Sequence, residues 1–189
     1  MKQALLFKGL FFLVLFTYPL IVYFGIQTVP PSLIGVLLLI LLAMRFGVLR
    51  PEERKIQIPF LLVLVAYATL ATIMRSEKFL LYYPVVVNLV LCAVFLLSLR
   101  GSESILLRLV RARGIKMSVY GPAYLNRLTI VWALFFILNA TVAGWTTTQS
   151  MEVWTLYNGL IAYILVGVMV GAEWLFRIHY KKRKGVYHV

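Results

Sequence analysis

The chain has no aspartate, and its six carboxylates are all glutamates, scattered at positions 52, 53, 77, 103, 152 and 173. No paired acid and base, and no acidic metal ligands for phosphate chemistry, emerge from that spread. Histidine is almost as scarce: His179 and His188 both lie in the basic C-terminal stretch. There is no H-E-x-x-H run, no glycine-rich phosphate loop and no Cys/His metal spacing, so neither an enzyme nor a resident cofactor is expected. The single cysteine, Cys92, excludes an intrachain disulfide.

What the chain does hold is apolar residues. They make up 62% of it, with a mean hydropathy of +0.93, against roughly 45–50% in soluble domains. That composition predicts an integral membrane protein. Nineteen Lys and Arg give a net charge of +13, but they fall in short strips between long apolar runs. Cations so placed face lipid headgroups, and nucleic acid is not an expected partner.

A helix crossing a hydrocarbon core of about 30 Å needs roughly 20 apolar residues. Six segments approach that length: residues 5–26, 32–49, 58–74, 79–99, 128–145 and 153–176. The expected fold is therefore all-α, a single polytopic membrane bundle of about six helices. The N-terminal lysines before an apolar run resemble a signal peptide, but no A-x-A site follows, so the run reads as a retained first span. The second segment is the weakest, because Arg45 shortens its apolar stretch and must snorkel or sit short in the membrane.

With both termini cytoplasmic, seventeen of the nineteen Lys and Arg fall on the inner side, leaving only Arg75 and Lys78 in the external turn "RSEK". Cytoplasmic loops collect such cations, which supports both the even number of spans and the orientation. The longest internal piece runs from Arg100 to Asn126. Within "SESILLRLVRARG", Ser102 is the expected N-cap and Gly114 the expected stop. Ile105, Leu106, Leu109 and Val110 share one face, away from Arg108, Arg111 and Arg113, which predicts a short amphipathic helix resting on the inner leaflet. Those three arginines, with Lys181, Lys182, Arg183 and Lys184 of the tail, are the candidate contacts to anionic lipid.

Polar residues inside the apolar segments are few. In "FLLYYPVVVNLVL", Pro84 is expected in the first turn of its helix, where a missing N–H costs nothing. Asn88, Asn139 and Asn158 each lie one to two turns in from the external side of different spans. An amide alone in lipid costs several kcal/mol, on the order of a lost hydrogen bond, so the three should meet as an intramembrane cluster. Helix-packing glue and a substrate site both fit such a cluster. Gly167 and Gly171 form a GxxxG spacing that favours close helix packing. Glu173, the one carboxylate within an expected span, sits about a turn from its cytoplasmic end with Arg177 at i+4, the geometry of a local ion pair at the interface. Trp132, Trp145, Trp154 and Trp174, with Tyr82, Tyr83 and Tyr157 among the tyrosines, read as interfacial belts.

The order "EKFLLYYPVVVNLVLCAVFLLSL", a basic linker, "LNRLTIVWALFFILNATVAGW" and "EVWTLYNGLIAYILVGVM" resembles the intracellular septation protein A family of bacterial inner membranes. Pro84, Asn88, Asn126, Trp132, Phe135, Phe136, Trp154 and Asn158 carry the likeness, which covers about residues 75–172; the first three spans are similar in hydropathy alone. The chain is similar above all to a branch of small membrane proteins found with aryl-polyene type gene clusters. The resemblance implies an inner-membrane protein of envelope maintenance or septum assembly, working through helix contacts with division or envelope-synthesis proteins. It brings no catalytic residues. A second expectation, from a different class, is a transporter or lipid-handling protein that uses the three asparagines as its polar site.

Overall fold

The computed structural model describes Phe24, residues 30–48 and residues 51–184 except Lys116 and Ser118. The expected first span lies outside the described residues apart from Phe24, as does the tail beyond residue 184. Among the described residues the chain is all helix: α1 (Pro31–Val48), α2 (Pro51–Met74), α3 (Glu77–Ser98), α4 (Ile105–Ala112), α5 (Gly121–Thr146), α6 (Met151–Leu156), a π-helical turn (Tyr157–Ile161) and α7 (Ala162–Lys184). Among the described residues four stretches are long and apolar enough to cross a membrane: Ile56–Met74, Glu77–Ser98, Gly121–Thr146 and Met151–Ile178. Ser32–Met44 in α1 is a shorter apolar stretch.

α1 and α2 pack closely because Gly35 lets them. A Cβ on Gly35 would collide with Thr72 Oγ1 and stand 3.1 Å from the Thr72 Cα, so only hydrogen fits between the two helices. Around this contact Ile34, Leu38, Leu61, Leu64, Ala68 and Leu80 form the main buried core, into which Trp154 also reaches. Met74 ends α2, and Arg75 turns the chain in the left-handed region at φ 48°. Ser76, extended, precedes α3, and Glu77 puts a negative charge at the positive end of that helix.

This early start corrects the reading of Pro84. The residue is eighth in α3, inside the helix, because Glu77 begins it two residues before the apolar run. Proline there withholds an N–H and crowds the preceding carbonyls. Neighbouring helices supply donors along this stretch: the Tyr67 hydroxyl donates to the Phe79 carbonyl at 2.6 Å, and the Trp154 indole Nε1 donates to the Leu81 carbonyl at 3.0 Å.

α3 runs along α5, where small residues allow close approach. Ala133, Ala140 and Ala143 are buried, and Cys92 packs with Ala133 and Phe136. The Phe95 and Phe136 rings meet edge to face, 5.1 Å apart.

One end of the bundle carries α4; the other carries the α2–α3 and α5–α6 turns. α4 differs from its expectation in two ways. Its N-cap position is Ser104, two residues after Ser102. Its apolar side covers protein as well: Ile105 and Leu107 are the buried residues, and Leu107 packs with Tyr124 and Leu125 at the start of α5, edged by Leu106 and Val110. Gly114 ends the helix as expected at φ +68°, with the Ile115 N–H on the Val110 carbonyl and the Gly114 N–H on that of Arg111.

α5 begins at Gly121, about two turns before the expected Leu128. Pro122 suits a first turn, and Tyr124 and Leu125 have α4 to bury against while Asn126 and Arg127 stay exposed. At its other end three successive hydroxyls donate back to carbonyls: Thr146 to Ala143, Thr147 to Gly144 and Thr148 to Trp145, at 2.7, 2.8 and 2.8 Å. They supply some of the partners that the last turn of a helix otherwise lacks.

Candidate functional site: a buried amide network

Of the three expected asparagines, the structure brings two into direct contact. Asn88 Nδ2 donates to the Pro84 carbonyl, one turn back, at 2.8 Å. A carbonyl only accepts, so the amide nitrogen faces Pro84 and Oδ1 is left toward α5. There Asn139 Nδ2 donates to it at 3.0 Å, and the Tyr157 hydroxyl donates in turn to Asn139 Oδ1 at 2.7 Å. Three elements are thus joined by one directional chain that ends on the α3 backbone.

Asn158 stands beside this chain and belongs to a second one. Its Nδ2 donates to Thr146 Oγ1 at 3.1 Å and to the Trp154 carbonyl at 2.9 Å. The π turn explains the pairing of Tyr157 with Asn158. Its extra residue lets the Ala162 N–H reach back to the Tyr157 carbonyl, and Asn158 gives the Trp154 carbonyl a side-chain donor just before that irregularity.

Asn88 is eleven residues into α3, about 16 Å along it. Asn88, Asn139, Tyr157 and Asn158 are all buried, and Thr146 has no exposed surface. In such a setting every polar group left alone is costly, and each of these has a partner.

Two aromatic residues expected in an interfacial belt are part of this site. Trp154 is 1% exposed and Tyr157 is buried; Tyr83 is buried too. Trp145, Trp174 and Tyr82 are exposed, whereas Trp132 packs on Phe135 and Phe136. Thr146, Tyr157 and Trp154 are thus the site residues that sequence reasoning missed. The signal available for two of them was spacing: Trp154, Tyr157 and Asn158 lie at i, i+3 and i+4, one face of a helix.

At the α4 end, Glu173 and Arg177 form their i+4 pair at 3.5 Å. Tyr124, absent from the expectation, donates its hydroxyl to the same Glu173 oxygen at 2.9 Å, and its ring stacks on Phe176. Of the candidate lipid contacts, Arg108 and Arg111 are exposed on α4 and Arg113 is exposed at its C-cap, with Arg111 paired to Glu103. The side chains of Lys181, Lys182, Arg183 and Lys184 lie outside the described residues. Among the described residues no group of three His, Cys, Asp or Glu is placed to hold a metal ion.

The helical architecture and its four apolar spans have the character of a membrane protein. No protein-family model, curated protein or solved structure matches the chain.

Proposed function

We propose that this is a non-enzymatic protein of the bacterial inner membrane, six-spanning with both termini cytoplasmic, that supports envelope maintenance or septum assembly through helix-mediated contacts with other membrane proteins. The observation that carries the reading is how the asparagines are used. Asn88 and Asn139 bond to each other and to Tyr157, and Asn158 bonds to Thr146, so their hydrogen bonds serve to hold α3, α5 and the π turn together. The α7 side supports it as well, since the membrane-length window in Met151–Ile178 is unburied by the described residues. The likeness to the septation family gives the envelope its place in the proposal. The arginines on α4 and the basic end of α7 hold the inner leaflet.

The test is mass spectrometry of the protein drawn from its own membrane into lipid nanodiscs. Division or wall-synthesis proteins recovered with only bulk phospholipid support the proposal. A deletion strain that divides normally and keeps its envelope under osmotic stress overturns it.

A second reading, lipid handling, draws on the openness along α7. A Cβ on Gly167 or Gly171 would meet nothing within 4 Å, which leaves room beside that helix for an acyl or polyene chain. One stoichiometric unusual lipid in the nanodiscs, without protein partners, favours this reading.

A further inference from the structure

The last helical rod is held to the bundle by hydrogen bonds near its two ends. At the turn end Trp154, Tyr157 and Asn158 are buried and bonded to Leu81, Asn139 and Thr146 respectively. From residue 159 to residue 178 no residue is buried, although the half-buried positions Tyr163, Val166, Met169, Glu173 and Arg177 trace one helical face toward the bundle. Gly167 and Gly171 have open space where a side chain would be. Contact resumes at the α4 end, where Tyr124 donates to Glu173 and stacks on Phe176.

Between firm attachment and open space lies the π turn. A helix bends most readily where its i→i−4 ladder is interrupted, and this turn interrupts it at Tyr157–Ile161. The buried bonds of Trp154, Tyr157 and Asn158, before the turn and at its start, fix one side of it, while the lower arm is tied to α5 by the Tyr124–Glu173 hydrogen bond.

We propose that α7 is a hinged arm: the π turn is the hinge, the Tyr124–Glu173 hydrogen bond is the latch, and release of the latch swings the α4 end of α7 away from α5. The seam so opened is lined by the half-buried face of α7. Arg177 holds the Glu173 carboxylate from the same helix and moves with it, so the ion pair orients the acceptor without tying the arm down. The stack of Tyr124 on Phe176 guides closure.

Spin labels in nanodiscs read the swing. In a Cys92→Ala background, one pair at Leu62→Cys and Leu175→Cys reports the arm, and a second at Ile73→Cys and Leu156→Cys reports the attached end. All four positions are exposed. From the π turn to Leu175 is about 24 Å of helix, so a swing of about 15° moves the far end by about 6 Å. Tyr124→Phe keeps the ring that stacks on Phe176, and Glu173→Ala removes the acceptor. Both are expected to shift or broaden the first distance by about that amount and leave the second unchanged. Glu173→Gln keeps an acceptor for the hydroxyl and is expected to hold the first distance as in the parent. The proposal fails if neither Tyr124→Phe nor Glu173→Ala moves the arm, if both distances change together, or if Glu173→Gln swings as far as the alanine variant.

Discussion

Asn139 is the middle of the buried chain, linking two side chains as donor to Asn88 and acceptor from Tyr157. Asn139→Leu strands a carbonyl oxygen on one side and a hydroxyl on the other. Leaving buried groups unpaired costs more than a made bond contributes, so a loss of about 2–3 kcal/mol is expected in bicelle unfolding. Replacing Asn88 as well removes one of the stranded groups. The double variant Asn88→Leu/Asn139→Leu should therefore lose less than the sum of its parts, with a coupling of about 1 kcal/mol. Strict additivity would show that the amide pair contributes nothing to helix packing. Tyr157→Phe keeps the ring and loses one donor, a milder change of about 1 kcal/mol in the same assay.

At the scale of the element, two backbone positions invite opposite outcomes. Gly35→Ala must push α1 off Thr72 and is expected to cost about 2 kcal/mol or more, read as a lower unfolding midpoint. Arg75→Gly relieves a left-handed residue at the α2–α3 turn and should raise stability by about 0.5 kcal/mol after glycine's own entropy is set against it. Where α2, α3 and α5 end could be foreseen from the apolar runs, since each stops within a residue of the expected 74, 99 and 145. Their starts were harder. Glu77 and Gly121 open helices ahead of the hydrophobic run, because dipole and proline effects act on polar residues that hydropathy discards. For the site, the asparagines stand out because amides are rare in such runs. Which amide meets which depends on how each helix is rotated, a quantity set by all its neighbours together. That is why Asn158 bonds to Thr146, and why Trp154 and Tyr157, near a segment end, are buried under α3 and α5 instead of facing lipid.

For the whole molecule, the proposed orientation makes a prediction that does not depend on any partner. Gln149 in the α5–α6 turn and Ser102 before α4 are both exposed and lie at opposite ends of the bundle. With cysteine at each in turn, an impermeant thiol reagent added outside intact spheroplasts should label Gln149→Cys and spare Ser102→Cys until the membrane is opened. The reverse pattern would invert the proposed topology, and labelling of both would break the even span number.

The α5–α6 turn has one more consequence, for how the chain enters a bilayer. Thr147 to Ser150 carries no charge, and the three threonine hydroxyls have already answered carbonyls at the end of α5. With Glu152 just beyond it, carrying this turn across hydrocarbon strips the water from one ion, against three for the α2–α3 turn with Arg75, Glu77 and Lys78. In the proposed orientation α5 and the rod that follows it therefore meet a smaller charge barrier to entering as a helical hairpin than the α2–α3 pair does.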